Sequence, residues 1–132
     1  MKVWPILGAA LLVSSCATLE GKPAYLTGSW GGPHIGISFE GALGSIEYDC
    51  ASGTIDSIIL PARDGRFTAK GQHRHGQGGP VRVGQIFRTQ RATYSGEVRK
   101  DVMTLKVSLE DGTALGPFTL TQNAPAQLTR CL

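Results

Sequence analysis

The stretch ATYSGEVRKDVMTLKVSL, residues 92–109, decides the fold, because apolar and polar residues alternate along it with a period of two. This alternation is typical of β-strands with one buried face, since successive side chains of a strand point to opposite sides. The pattern stops at Lys100-Asp101, which we expect to form the turn of an antiparallel hairpin. The positions expected to face inward are Ala92, Tyr94, Gly96, Val98, Met103, Leu105, Val107 and Leu109.

The same period recurs through most of the chain after residue 27. Asp64-Gly65 and Asp111-Gly112 have the composition of tight turns, and Ser52-Gly53 is a further predicted turn. Gly76 to Pro80 is expected to be the most flexible link. The predicted strands fall near residues 28–32, 35–40, 45–50, 54–60, 66–75, 81–87, 92–98, 103–109, 113–121 and 127–132. Further inward positions are Ile35, Ile37, Phe39, Ile46, Tyr48, Cys50, Phe67, Phe118 and Leu120.

Eight to ten short strands with hairpin-length links, and no long helical repeat, predict an all-β fold. Such a meander must protect its edge strands, and closing on itself removes the edges. We therefore expect a single small antiparallel up-and-down β-barrel of about eight strands, with a two-sheet β-sandwich as the alternative. A barrel of about eight strands is either filled by side chains or holds one small ligand.

Length and composition limit the class of protein. The 132 residues suffice for one domain. Charged residues make up only 17% of the chain and glycines number 18, which fits short strands joined by tight turns. A formal net charge of +3 is too weak to indicate nucleic acid as a partner. The sequence has no nucleophile elbow, phosphate loop or Cys-x-x-Cys motif, so we expect neither an enzyme nor a cofactor.

The N-terminal end has the pattern of a targeting signal. One positive charge, Lys2, precedes an apolar run from Val3 to Val13 that is shorter than the roughly 20 residues needed to cross a bilayer. The end of this run, Leu12-Val13-Ser14-Ser15-Cys16, resembles the lipobox of bacterial lipoproteins. The resemblance implies that the Cys16 thiol is joined to diacylglycerol, that the chain is cut just before Cys16 and that its new amine is acylated, for example with palmitate. These acyl chains would anchor the protein in a membrane. The alternative is an ordinary secretory signal cleaved after Ala17.

From this resemblance we expect a lipoprotein signal peptide over residues 1–15, a lipidated tether over 16–26 and the β-barrel domain over 27–132. In Gram-negative lipoproteins an Asp directly after the cysteine tends to retain the protein in the inner membrane. The residue here is Ala17, which favours the outer membrane. We therefore expect a periplasm-facing protein of a bacterial cell envelope, attached to the outer membrane by its lipid.

With Cys16 assigned to lipid, two cysteines remain. Because an oxidising compartment favours disulfides, we expect Cys50 and Cys131 to be bonded to each other rather than to remain two free thiols. The bond would close a loop of 81 residues. The chain-entropy model assigns such a loop roughly 4 kcal/mol of stabilisation. The bond would also hold the C-terminal end against fraying.

Two shorter likenesses concern the barrel itself. Gly28-Ser29-Trp30 resembles the opening of lipocalin-like and avidin-like barrels, which implies that Trp30 plugs one end. Tyr48-x-Cys50 together with Cys131 is similar to the membrane-bound lysozyme inhibitors, small lipoprotein barrels in which an early cysteine pairs with one near the C-terminus. That likeness implies an inhibitor of a wall-degrading enzyme that acts by inserting a loop into its cleft.

His73-Arg74-His75 is the sharpest candidate for chemistry. Residues two apart in a strand project from the same face, about 6.5 to 7 Å apart along the chain. Two such imidazoles can share a metal ion when a third ligand comes from another strand, and His34 is the only other histidine in the sequence. A metal site of His34, His73 and His75 therefore stands against a hydrogen-bonded histidine pair at the barrel rim.

A ligand cavity inside the barrel is the second candidate site. The residues expected to bind a small ligand there are Trp30, Tyr48, His73, His75 and Tyr94.

On the outside of one strand, Arg66, Lys70 and Arg74 form a basic row that would meet anionic lipid headgroups, an acidic partner or only solvent. The carboxylates considered for acid–base catalysis are Glu40, Glu47, Asp49 and Asp56. Glu40, Glu47 and Asp49 are expected to point to water with ordinary pKa values, which are unsuited to catalysis.

The sequence therefore predicts a lipid-anchored bacterial envelope protein that is not an enzyme. Its barrel would bind a small ligand or a protein partner of the envelope. An inhibitor of a wall-degrading enzyme and a metal-binding barrel are the alternatives.

Overall fold

The computed structural model describes residues 2–3, 8, 25–76, 83–84, 88–129 and 131. Within these residues the chain forms one closed barrel, in which each strand is antiparallel to the next and the first pairs with the eighth. The predicted up-and-down barrel of about eight strands is confirmed, and the sandwich alternative is wrong. The strands are β1 (Gly28–Gly32), β2 (Ile35–Glu40), β3 (Leu43–Tyr48), β4 (Ala51–Ile55), β5 (Arg66–His75), β6 (Thr89–Arg99), β7 (Val102–Leu109) and β8 (Ala114–Gln122).

Glycine makes the final closure between β1 and β8 sterically feasible. Gly31 pairs with Thr121 across this seam. A Cβ atom on the neighbouring Gly32 would collide with the backbone carbonyl of Thr119 in β8. The two backbones approach so closely that a side chain at this position would push the strands apart.

The interior of the barrel is filled along most of its length. The inward rows of β2, β6 and β7 are buried as the period of two predicts, with only the ends of the rows partly exposed. The fully buried side chains with the largest volumes are Tyr94, Ile35, Ile46, Ile55, Met103, Leu105, Leu120 and Val107.

The two ends of the barrel differ. We name the end where β1 begins the closed end; the β2–β3, β4–β5 and β6–β7 links lie there. Trp30 is buried near this end, and its indole N–H donates to the carbonyl of Thr27 at 3.1 Å. Ile59, in the link after β4, is also buried, and its carbonyl accepts from the amide of Leu26 at 2.9 Å. The opposite end, where the β1–β2, β3–β4 and β7–β8 turns lie, is named the open end.

The β3–β4 turn differs from the sequence-based prediction. It falls at Asp49 and Cys50 instead of Ser52-Gly53, and β4 runs over Ala51–Ile55 instead of 54–60. Cys50 is therefore exposed on the turn, not inward. Gly53 faces inward in the alternation of β4, and a side chain has little room there: an added Cβ would lie 2.9 Å from the carbonyl of Gln72 and 3.0 Å from the hydroxyl of Tyr94.

The C-terminal tail, residues 123–129 and 131, lies outside the barrel wall. A strand over 127–132 was expected, but among the described residues only a single bridge between Pro33 and Gln127 forms. The tail crosses the outer face of β1 and β2, where Ala126 packs against Gly36. A Cβ atom added to Gly36 would lie 2.6 Å from the methyl carbon of Ala126. It ends at the predicted disulfide, which is confirmed: Cys50 and Cys131 are bonded, with their Cα atoms 5.5 Å apart.

Several predictions fall outside the described residues. They include most of the signal peptide over 1–15, nearly all of the tether over 16–26 with Cys16, and most of the link over 76–80. Of the predicted strand over 81–87, only Val83 and Gly84 are described, and these two residues form a turn. No helix that could span a membrane occurs in the part of the chain that the structure describes.

Candidate ligand site at the open end of the barrel

A cavity of about 300 Å³ opens at the open end. It exists because the inward rows end there in side chains that line a hollow and do not meet across it. The last inward positions of β3, β5 and β7 contribute, as do the first of β4 and β8. The lining residues are His34, Tyr48, Asp49, Cys50, Ala51, His73, His75, Leu109, Thr113, Leu115 and Phe118.

Aromatic rings form the deepest part of this cavity. The ring of Tyr48 lies with its centroid 5.2 Å from that of His73 and 5.9 Å from that of Phe118, both tilted. These separations are typical of favourable aromatic contacts. Tyr48 and His73 are both buried, whereas Phe118 is half-buried. The cavity therefore has a rigid base that offers ring faces and edges to an occupant.

The polar atoms below this base lie out of contact with water. Among the described residues, neither the Tyr48 hydroxyl nor Nδ1 of His73 has a hydrogen-bond partner. The neighbouring Tyr94 differs, because its hydroxyl donates to the carbonyl of Gln72 at 3.2 Å. Burial raises the pKa of Tyr94 to about 12, and burial together with Tyr94 raises the pKa of Tyr48 well above its usual range. Both phenols are therefore uncharged at neutral pH.

The two histidines on β5 have different surroundings. Burial, and to a lesser extent the adjacent His75, lowers the pKa of His73, so His73 is neutral at pH 7. The rings of His73 and His75 meet edge to face with centroids 4.7 Å apart. The Gln90 amide donates to Nε2 of His75 at 2.6 Å and to Asp111 at 3.3 Å. His75 is thus held at the rim by β6 and the β7–β8 turn.

The opposite side of the rim is held by a second set of hydrogen bonds. Nδ1 of His34 lies 2.6 Å from Asp49, which also accepts a hydrogen bond from the amide of Thr129 at 2.8 Å. This backbone hydrogen bond lowers the pKa of Asp49, with His34 adding to the effect. The expectation of an ordinary pKa for Asp49 is therefore wrong, because the C-terminal tail passes beside it.

The structure brings together only part of the predicted ligand-binding set. Tyr48, His73 and His75 line one cavity. Tyr94 is completely buried and does not line it, and Trp30 lies near the closed end. The sequence analysis missed Ala51 because it lay outside the predicted strands, and Leu115 because a register shift between β7 and β8 separates it from the inward alternation of Phe118 and Leu120.

The three histidines of the predicted metal site all border this cavity. In the described part of the chain, however, no group of three His, Cys, Asp or Glu side chains lies in a geometry suited to a metal ion. His34 is instead engaged with Asp49, and its side chain is mostly exposed. A metal site on these histidines stays a prediction, and this conformation does not assemble it.

The outer surface carries the remaining predicted groups. Arg66, Lys70 and Arg74 are exposed along β5, as predicted, and Arg66 lies 3.8 Å from Asp64. Of the candidate carboxylates, Glu40, Glu47 and Asp56 are exposed on the outer surface. These groups are spread over the wall and do not converge on the cavity.

Comparisons with known proteins found nothing similar. A scan against protein-family models, a search of curated proteins and a search of solved structures gave no match.

Proposed function

We propose that this protein is a lipid-anchored, non-enzymatic component of a bacterial cell envelope that binds a small apolar ligand at the open end of its barrel. One observation carries the binding part of the proposal. Among the described residues, the inward side chains toward the closed end are buried, whereas at the open end a cavity of about 300 Å³ is lined mainly by aromatic and aliphatic side chains. This volume is at the lower limit of known small-molecule pockets.

The chemistry of the lining supports an uncharged, apolar ligand. Leu109, Leu115 and Phe118 form the wall on the β7–β8 side. At the base, His73 and Tyr48 are both neutral at pH 7 for the reasons given above. A charged group placed against this base would lose its hydration without gaining an opposite charge. A flat apolar body the size of two fused aromatic rings would instead keep ring contacts with Tyr48 and Phe118.

The lipid anchor rests on the lipobox-like sequence ending at Cys16 and on the confirmed disulfide. Cys50 and Cys131 are bonded, which fits a chain that works in an oxidising compartment such as the periplasm. The chain enters the barrel at the closed end, so a tether from Cys16 would leave the cavity mouth facing away from the membrane.

The non-enzymatic character is supported by the positions of Glu40, Glu47 and Asp56, which are exposed on the outer surface and do not converge on the cavity. Wall-enzyme inhibition and metal binding stay alternatives.

The test uses a substitution that fills the cavity and a control on the same strand. Ala51 faces the cavity, whereas the adjacent Ser52 is exposed on the outer wall. We expect 2-naphthol, a neutral two-ring probe, to bind the parent chain and the Ser52→Phe variant in an isothermal titration. The Ala51→Phe variant should lose this binding, because its ring would occupy the site. Equal affinities of the parent and Ala51→Phe, or no binding to the parent at millimolar probe, would refute the proposal.

A further inference from the structure

The closed end carries exposed apolar side chains on its outer side. Three of its large aliphatic residues are about half exposed or more: Leu43 at 57%, Ile58 at 49% and Leu60 at 63%. Leu43 follows the β2–β3 turn, and the other two lie in the link between β4 and β5. Because both links lie at the closed end of an up-and-down barrel, the three residues lie near that end, with Leu43 at an outward position of β3. We name these three residues the closed-end apolar patch.

The link after β4 cannot turn these side chains inward. Ile59, between Ile58 and Leu60, is 2% exposed and fills the barrel end. Its backbone is fixed by the hydrogen bond from Leu26, and the link is tied to β5 at both of its ends, through Asp56 with Lys70 and Ala62 with Arg66. Ile58 and Leu60, on either side of this buried residue, are exposed while the backbone of the link is held by these hydrogen bonds. The exposure of Ile58 and Leu60 is therefore a fixed property of the fold.

The N-terminal segment reaches the barrel beside this patch. The amide of Leu26 donates to the carbonyl of Ile59 at 2.9 Å, so the chain that leads back to Cys16 leaves next to Ile58 and Leu60. Tyr25 lies nine positions after Cys16. Nine residues span at most about 30 Å when fully extended. A chain anchored by lipid at Cys16 would therefore keep its closed end within that distance of the bilayer.

We propose that the closed-end apolar patch rests on the lipid bilayer, with Leu43, Ile58 and Leu60 at the boundary between headgroups and acyl chains. The inference rests on the proposed lipid anchor. The anchor raises the effective concentration of the patch at the membrane, so three aliphatic side chains suffice where they would not recruit a free protein. A bilayer is favoured over a second copy of the chain, because the tether joins the barrel at this end and keeps it within about 30 Å of lipid. The open end then faces away from the bilayer.

Fluorescence quenching on the full acylated chain tests the orientation. In vesicles of phosphatidylethanolamine and phosphatidylglycerol, a fraction of the lipids carries brominated acyl chains, which quench only nearby indoles. The reporter is Leu60→Trp, and the control is Leu128→Trp, an exposed leucine on the tail close to the open end. With the signal of Trp30 subtracted by use of the parent chain, we expect strong quenching of Leu60→Trp and none of Leu128→Trp.

A second set of variants separates the patch from the anchor. With Leu43→Trp as the reporter, the added pair Ile58→Ser and Leu60→Ser should reduce quenching at least about twofold, while folding and acylation stay intact because both side chains are already exposed. Acylation is read by mass spectrometry of the fragment that contains Cys16.

The outcomes separate the two proposals. An acylated chain whose Leu60→Trp and Leu128→Trp reporters are equally quenched, or both unquenched, overturns the docking and leaves the anchor standing. An unmodified Cys16 overturns the anchor and with it the docking, because the patch alone would not recruit a free protein. A dimer in vesicle-free detergent that Ile58→Ser and Leu60→Ser abolish, without quenching in vesicles, would overturn the bilayer and assign the patch to a second copy.

Discussion

The closed and open ends of this barrel use apolar side chains in opposite ways. At the closed end, Trp30 and Ile59 fill the interior, and aliphatic side chains remain exposed outside. At the open end, apolar and aromatic side chains surround a hollow, and the outer rim carries hydrogen-bonded Asp49 and Asp111. The same eight strands therefore provide a packed base and a concave site. We therefore expect stability to depend mainly on the closed half and the proposed ligand binding on the open half.

The largest expected effect is on the free energy of unfolding, when one aromatic residue from each half is replaced by alanine. Trp30→Ala should lower the free energy of unfolding by about 3–5 kcal/mol, because it leaves a cavity in a filled interior. Phe118→Ala should cost clearly less, because Phe118 already borders the cavity and is half-buried. Urea denaturation of the parent and both variants measures the two losses. Equal losses would mean that the two ends are packed alike.

Removal of the disulfide should give the next largest loss of stability, and it tests whether the disulfide holds the C-terminal tail against the barrel. The double variant Cys50→Ser, Cys131→Ser should lose about 2–4 kcal/mol of unfolding free energy, since the unfolded chain gains the freedom of a loop of 81 residues. The tail should also leave the outer face of β1 and β2. Hydrogen exchange at the amide of Gln127, which donates to Gly32, reports on that release. Unchanged protection at Gln127 would show that the tail packs without the disulfide.

The hydroxyl groups of the two buried tyrosines should contribute differently to stability. Tyr94→Phe should lower the free energy of unfolding by about 1 kcal/mol, because it deletes the hydrogen bond to the carbonyl of Gln72. Tyr48→Phe should not lower it, because the Tyr48 hydroxyl bonds to no atom of the described residues. Thermal and urea unfolding of this matched pair gives both values. A loss of 1 kcal/mol or more in Tyr48→Phe would reveal a partner for its hydroxyl.

The smallest effect is a pH dependence that originates at the open end. Burial lowers the pKa of His73, so the unfolded chain takes up a proton near the ordinary value of about 6.5 before the folded chain does. Stability is then complete above about pH 6.5 and declines as the pH falls toward the lowered pKa of the folded state. His73→Phe should flatten the stability profile between pH 7 and pH 5. His34→Asn, at an exposed rim position with φ of 69°, should keep the decline.

Parallel profiles of the parent and His73→Phe would assign that pH dependence to another group. They would also remove one of the reasons for a neutral cavity base.

The period of two predicted the barrel because it is a property of neighbouring residues. Residues 92–109 form the hairpin of β6 and β7 with the inward row that their alternation indicates. The β3–β4 turn was misplaced, because Ser52-Gly53 has turn composition although Gly53 lies inside the barrel to make room for Tyr94. Gly53 allows Tyr94, which is distant in sequence, to approach β4 closely, and a local sequence pattern does not reveal such a contact.

Three of the five residues predicted to bind a ligand border one cavity. Tyr48, His73 and His75 lie together there, because alternation places them on inward faces near the ends of their strands. Trp30 and Tyr94 have the same inward pattern, yet one lies near the closed end and the other is buried below the cavity. Whether an inward residue meets a filled or an empty space depends on all eight strands together, so sequence alone could not separate these roles.

The most direct test of the account is an NMR measurement of where 2-naphthol contacts the folded chain. Nuclear Overhauser effects from the probe should reach the methyl groups of Ala51 and Leu115 at the open end. They should not reach those of Ile59 and Met103 in the filled part of the barrel. Contacts to Ile59 or Met103, or none to Ala51 and Leu115 at saturating probe, would contradict the account.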